Sequence, residues 1–296
     1  VNVSQTATAS TAPSHAAQRY VLTLQCADQP GIVHAIAGAV FKAGGNIVDS
    51  SQFSDPTTGT FFLRLTFDVE TSNGDLEGRI RSSVARFDPL LHVVGEHVRP
   101  RLMIMVSKFD HCLVDLLYRW QINELPVEIP LIVSNHPDCA SIAEQQGIEF
   151  LHVPVTAETK AEAEARLLRL INDYTIDVVA LARYMQVLSD DVCRSLPGRI
   201  INIHHSFLPG FKGARPYHQA FERGVKLIGA TAHYVTADLD EGPIIEQDVV
   251  RVTHDQTPAT LAAMGRDVER MVLARAVRLH AEHRVFLNGT RTVILG

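Results

Sequence analysis

The sequence predicts an α/β protein made of two unlike parts: a ferredoxin-like βαββαβ unit, then a larger Rossmann-like unit built on a mainly parallel sheet. Three observations carry this. The first third runs strand, helix, strand, strand, helix, strand by hydrophobic periodicity. Beyond it, short β-rich runs are separated one by one by helical patterns, which is the grammar of a parallel sheet. Between the two lies "VRPRL", residues 98–102, where a proline and two arginines interrupt both patterns and mark a linker.

Each element has a local reason. "RYVLTLQC" alternates as a strand, and "PGIVHAIAGAVFKAG" opens on Pro30, spaces Ile32, Ile36 and Val40 helically, and stops at Gly44-Gly45. "NIVDSSQFSD" and "TFFLRLTFDVE" alternate around "PTTG" and form a hairpin. "GDLEGRIRSSVARF" is amphipathic, and "LLHVVGEHV" closes the unit as a strand. In the second part "RLMIMVS", "EIPLIVSN", "GIEFLHVPV", "IDVVALA" and "RIINIH" are the strands, with Met103 and Met105 as core filler. The helices between them are "HCLVDLLYRWQ", "PDCASIAEQQ", "ETKAEAEARLLRLIND" and "LSDDVCRSL". "LIGATAHYVTADLDEGPIIEQDVVRV" adds two β-rich runs joined by an acidic loop, and "PATLAAMGRDVERMVLARAVRLHAEH" is one long helix. The units are therefore residues 19–98 and 101–285, with 1–18 read as a disordered leader and 286–296 as a C-terminal tail.

Composition narrows the function. At 296 residues and 46% hydrophobic content the chain fills two cores. A net charge of -6 without a block of Lys or Arg speaks against a nucleic-acid partner. No apolar run reaches the roughly 20 residues of a membrane span, and the opening residues lack the charged and apolar regions of a signal peptide. Cys26, Cys112, Cys139 and Cys193 include no C-x-x-C pair, so neither a disulfide framework nor a cysteine-rich zinc site is indicated. A cytoplasmic protein that handles small molecules, with no membrane partner, is expected.

The chemistry concentrates at "INIHHSFLPGFKGARPYHQAF", which follows the last parallel strand. Open α/β sheets bind ligands beyond the carboxyl ends of their strands, and Asn202 and His204 lie at such an end. Asp238, Asp240 and Glu241 sit in the later acidic loop, whose exit is fixed by Gly242-Pro243. An amide, an imidazole and a carboxylate suit acyl transfer without a covalent intermediate: Asn202 holds a carbonyl oxygen, His204 stabilises the oxyanion or moves a proton, and Asp240 orients His204 and the nucleophile. Ser206 lacks a nucleophile elbow and reads as a loop-capping hydroxyl. His205, the strand neighbour of His204, is expected on the opposite face in a supporting role, and His233 as a satisfied core histidine. The alternative is a metal site made of His204, His205, His233 and Asp240. Adjacent strand histidines rarely converge on one ion, so no metal is expected.

Two resemblances extend this reading. "ADQPGIVHAIAG", inside the βαββαβ order, resembles the ACT domain, a small-ligand sensing module, over residues 19–98. This implies an amino-acid effector near Asp28, Pro30, Gly31 and Asn46, at a site usually shared between two chains, and so a homo-oligomer. The plainer reading is that Gly31, Gly44 and Gly45 only supply turns. "INIHHSFLPGFKGARP" followed by "HYVTADLDEGPIIEQ" resembles the folate-dependent formyltransferases over residues 101–284. The resemblance implies that Asn202, His204 and Asp240 are the catalytic set. It also implies that "LARYMQVLSDDV" is the folate-pocket segment, so that Arg183, Tyr184, Met185, Gln186, Val187 and Leu188 surround the pterin with Ala237, Asp238 and Leu239. Lys212 and Arg215 either meet the folate glutamate tail or remain solvated.

Within that family the acceptor distinguishes the branches. A phosphorylated amine needs a glycine-rich cradle, whereas "SKFDHCLVDLL" offers Phe109 and Asp110 and no glycine. Transfer to tRNA needs a basic surface and a further domain. Water remains, so the resemblance is to the hydrolytic branch, which splits 10-formyltetrahydrofolate into formate and tetrahydrofolate with no cofactor. An unphosphorylated amine as acceptor, or a catalytically silent amino-acid sensor, are the alternatives.

Overall fold

A computed structural model describes residues 17–70, 74–210 and 216–296. Of the expected leader, residues 1–16 lie outside the described residues and Gln18 already opens the first strand; Lys212 and Arg215 also lie outside them. The chain divides into two compact units between Val98 and Arg99.

The first unit contains β1 (Gln18–Ala27), α1 (Ile32–Lys42), β2 (Gly45–Asp55), β3 (Thr60–Val69), α2 (Leu76–Val84) and β4 (Leu90–Gly95). Its antiparallel sheet has the order β2-β3-β1-β4. Alternation decides what is buried: Leu22 and Leu24 of β1 face Ile36 and Val40 of α1 and Ile80 of α2. Gly31 precedes α1 at φ 92, a conformation that a side chain would strain. The Asp75 carboxylate caps α2 by accepting from the Gly78 N–H at 2.8 Å.

The second unit contains β5 (Arg101–Val106), α3 (His111–Gln121), β6 (Glu128–Ser134), α4 (Ala140–Gln145), β7 (Glu149–His152), α5 (Lys160–Asp173), β8 (Val178–Ala182), α6 (Asp190–Ser195) and β9 (Ile200–His204). These are followed by α7 (Pro216–Glu222), β10 (Leu227–Tyr234), β11 (Ile244–Arg251), α8 (Pro258–Ala281), β12 (Val285–Asn288) and β13 (Arg291–Ile294). The main sheet has the order β11-β10-β9-β8-β5-β6-β7. The strands from β5 to β9 pair in parallel, whereas β10 and β11 form an antiparallel edge. Along β5, Leu102, Ile104 and Val106 pack with α3 and α8, while Met103 and Met105 pack with α5 and α6. Strands buried on both faces explain their continuous apolar runs.

From β5 the chain steps one way to β6 and β7 and the other way to β8 and β9. The carboxyl ends of β5 and β8 thus flank a topological switch point, where such sheets open a crevice. Residues 286–294, expected as part of a tail, form the β12–β13 hairpin with Val285 instead, Val285 pairing with Ile294 and Asn288 with Arg291. Its turn carries Gly289 at φ 62, and the Thr292 hydroxyl donates to the Ile244 carbonyl of β11 at 2.6 Å. Gly289 at the first of the two central positions is the local signal for that turn.

Candidate active site

β9 and β10 assemble the centre. They are antiparallel neighbours in which Asn202 pairs with His233 and His204 with Thr231, so Asn202 and His233 project on one face and meet across the strands. The Asn202 amide Nδ2 lies 3.2 Å from His233 Nε2, and His233 Nδ1 lies 2.9 Å from the Tyr234 carbonyl oxygen. A carbonyl only accepts, which assigns the ring proton to Nδ1 and leaves the Nε2 lone pair to accept from the amide. One amide hydrogen of Asn202 is thereby fixed, and the residue lines the cleft. His233, read from the sequence as a core histidine, is buried but belongs to the site. Its position opposite Asn202 depends on a strand register that a single sequence does not print.

The acidic turn after β10 brings the carboxylate. Asp240 adopts φ 57, a left-handed conformation that Asp tolerates better than most residues. The turn runs directly against β10, with the Tyr234 N–H donating to the Pro243 carbonyl at 2.9 Å. Asp240 Oδ1 lies 3.3 Å from His204 Nδ1 and 3.7 Å from His233 Nε2. The His204 contact holds its carboxyl far below the ordinary 3.8, against the upward push of burial. Asp240 is therefore an anion at neutral pH and accepts from His204 Nδ1–H. His204 Nε2 is buried and has no hydrogen-bond partner among the described residues.

His205 departs from the expectation of an opposite face. β9 ends at His204, the backbone bends, and the His205 ring lies 5.2 Å from that of His204 and 6.3 Å from that of Tyr217. It lines the same cleft, and burial followed by the Arg183 cation lowers its pKa to about 4, so it is neutral near pH 7. The Ser206 hydroxyl donates to the Gly210 carbonyl at 2.8 Å, a loop-fixing bond.

The cleft has a volume of about 680 Å³ and straddles the carboxyl edge of the sheet. One half lies over the α5/α6 layer, where Tyr184, Met185, Gln186, Val187 and Leu188 face the turn of Ala237, Asp238 and Leu239. Met185, Val187 and Leu239 are exposed there, an apolar mouth. Ser107, at the end of β5, anchors this segment by accepting from the Met185 N–H at 2.9 Å and donating to Asn135 Oδ1 at 2.6 Å. Arg183, at φ 64, differs from its neighbours: its side chain turns toward the α3/α8 layer, with Nε 3.4 Å from Glu269 Oε2 and its guanidinium 5.7 Å from the Phe109 ring centre.

In the first unit the four expected effector residues separate. Asp28 lies at the end of β1, where the Ser54 hydroxyl donates to its carboxylate, and Pro30 and Gly31 lead into α1 beside it. Asn46 lies at the other end of β2. Eight residues of strand separate Ser54 from Asn46, roughly 26 Å at about 3.3 Å each, so one chain does not bring all four together.

Sequence reasoning missed Glu269, Tyr217 and His111, which line the other half of the cleft. The available signal was Glu269 itself, a carboxylate in helical register with the buried Leu261, Gly265 and Leu273. The set His204, His205, His233 and Asp240 does not converge on one point. Among the described residues the group that does is His111, Cys112 and Glu269. Arg183 already compensates Glu269, and burial pushes the Cys112 thiol well up, so that group is poorly suited to an ion.

A mainly parallel sheet with an amide, imidazoles and a carboxylate at its carboxyl edge defines a formyltransferase-type enzyme. The formyl transferase family model matches residues 100–277, and the ACT domain model matches residues 20–82. The chain is 51% identical over 281 residues to a formyltetrahydrofolate deformylase of Corynebacterium sp., covering 94% of this chain and 98% of that one. It is 50% identical over 276 residues to the deformylase of Synechocystis sp., covering 92% and 97% respectively. The crystal structure of the Burkholderia mallei formyltetrahydrofolate deformylase superposes with a TM-score of 0.91 at 50% identity, covering 94% of this chain and all (100%) of that one. The chain belongs to the formyltetrahydrofolate deformylase family.

Proposed function

We propose that this protein hydrolyses 10-formyltetrahydrofolate to formate and tetrahydrofolate, with Asn202, His204 and Asp240 as catalytic residues and no cofactor. The observation that carries the reading is the polarity of His204, a residue lining the cleft: Asp240 holds Nδ1–H, and Nε2 has no partner among the described residues. In that tautomer Nε2 takes a proton from water as the water oxygen attacks the formyl carbon. Asp240 stabilises the imidazolium, and the amide hydrogen of Asn202 not engaged by His233 meets the developing oxyanion. The tetrahedral intermediate collapses, the carbon–N10 bond breaks, and His204 returns its proton to N10. Formic acid then ionises to formate.

The apolar mouth of residues 184–188 and 237–239 suits a flat heteroaromatic ring such as the pterin. Replacing Ser107 by Ala removes the acceptor that fixes Met185. The expected result is a KM for the folate raised roughly fivefold, equivalent to about 1 kcal/mol for a lost hydrogen bond, with kcat little changed; steady-state kinetics check it. In the first unit, an amino-acid effector bound between the Asp28 end of one chain and the Asn46 end of another accommodates the separation of these residues, and makes the active form at least a dimer. A cytoplasmic role, supplying formate for purine synthesis and balancing the one-carbon pool, goes with this reading. No helix among the described residues is long and apolar enough to cross a membrane.

The test is incubation of the pure protein with 10-formyltetrahydrofolate, a chelator and no amine, following both products. Equal release of formate and tetrahydrofolate is expected. Folate binding without release would refute hydrolysis.

A further inference from the structure

The catalytic set leaves a buried carboxylate unexplained. Glu269 of α8 is 1% exposed, and both of its oxygens are occupied. The Tyr217 hydroxyl donates to Oε1, while His111 Nε2 lies 2.8 Å and Arg183 Nε 3.4 Å from Oε2. Four segments converge to make this cluster: the start of α3, the turn after β8, α7 and α8. The seat of Tyr217 depends on Gly265, where an added Cβ would lie 2.0 Å from the phenol oxygen. Burial pushes the Glu269 carboxyl up, but His111, Arg183 and Tyr217 outweigh it and hold the group below its ordinary value. Charged groups buried this thoroughly are a poor source of stability, because apolar side chains of similar volume usually serve as well.

All four side chains line the half of the cleft over the α3/α8 layer, away from the turn that carries Asp240. We propose that the Glu269 cluster is the specificity element that restricts the nucleophile to water. The proposal rests on the hydrolytic reading. An amine that attacks the formyl carbon must lose an N–H proton while the carbon–N10 bond breaks and N10 gains one. It therefore needs an acceptor on its own side of the cleft, and Glu269 is the carboxylate there. Each of its oxygens is already engaged, Oε1 by Tyr217 and Oε2 by His111, the group is buried, and the adjacent Arg183 cation repels an ammonium. Water needs neither, since His204, held by Asp240, takes its proton from the other side. His111 and Tyr217 are thus specificity residues that act through Glu269.

The experiment uses the full chain with 10-formyltetrahydrofolate, with and without methoxyamine, a small amine uncharged near neutral pH. Formate and N-formylmethoxyamine are both quantified, which gives a transfer-to-hydrolysis ratio independent of total activity. The parent protein is expected to release formate alone. His111→Ala and Tyr217→Phe each remove the partner of one Glu269 oxygen and should raise the ratio at least about tenfold, the factor corresponding to about 1.4 kcal/mol, with the double variant higher still. Tyr217→Phe loses a single hydroxyl, so it decides the matter if His111→Ala does not fold. An unchanged ratio in folded, folate-binding Tyr217→Phe protein would overturn the proposal. A parent protein that releases no formate in the amine-free arm would instead overturn the hydrolytic reading beneath it.

Discussion

Asp240→Asn lowers kcat by roughly 100- to 1,000-fold, the loss typical of one preorganised electrostatic partner, and leaves KM for the folate close to that of the parent. The isosteric amide keeps the shape of the turn but loses the anion that holds His204 Nδ1–H at 3.3 Å. If the oxygen of the new amide still accepts that bond, the imidazolium formed on water deprotonation has no counter-charge. If the NH2 faces the ring instead, Nδ1 becomes the acceptor and Nε2 carries the proton, so it no longer takes one from water. Either outcome reaches kcat, because the groups proposed to meet the pterin lie on residues 184–188 and 237–239 and not on the carboxylate. Steady-state kinetics with equilibrium folate binding separates the two parameters; a kcat near that of the parent would remove Asp240 from the proton path. The linkage has a definite sign. A carboxyl whose folded pKa lies below its unfolded value of about 3.9 favours the folded chain above that pH, and the contribution is lost as the pH falls through the depressed native value. Asp240→Asn should therefore flatten the acid limb of the stability curve in thermal melts.

Much of this was legible because periodicity and turn chemistry are local. The helix HCLVDLLYRWQ begins and ends at the residues its apolar spacing marks, and the fully buried β8 reads as an unbroken apolar run because helices cover both its faces. The βαββαβ order likewise follows from alternation and from the PTTG turn. The catalytic constellation was less legible. Asn202 and His204 announce themselves two residues apart on one strand, but His233 joins them through the β9–β10 register, and His205 turns inward because the strand stops one residue before it. Glu269 is some 60 residues further along the chain, and only the packing of α8 beside α3 and α7 places it near the site. The short α7 was hidden in a loop whose composition speaks for turns, although Pro216 stands at its first position, where proline suits a helix. Most properties set by neighbours in sequence were legible, the β12–β13 hairpin and α7 excepted; those set by neighbours in space required the fold.

Gly242→Ala is expected to damage both stability and turnover, for a reason unrelated to the φ of the glycine. A Cβ at this position would lie 1.7 Å from the Tyr234 carbonyl oxygen and 3.2 Å from His233 Nδ1. The first contact is with backbone, which has no rotamer to yield, so the turn of residues 238–243 has to lift away from β10. That movement breaks the bond from the Tyr234 N–H to the Pro243 carbonyl and carries the Asp240 carboxylate away from His204. It also disturbs the Tyr234 carbonyl that fixes the His233 ring, and with it the amide of Asn202. Overpacking of this kind typically costs about 1–3 kcal/mol, while displacing all three proposed catalytic groups together should cost at least as much turnover as losing Asp240 alone. The two effects are separable by denaturant unfolding and by kcat measured well below the melting temperature. Pro243 and the carboxylate itself are unchanged in this variant, so a loss of turnover greater than the fraction unfolded would assign the defect to the position of the turn. Parent-like kcat in folded protein would mean that the turn is not what positions Asp240.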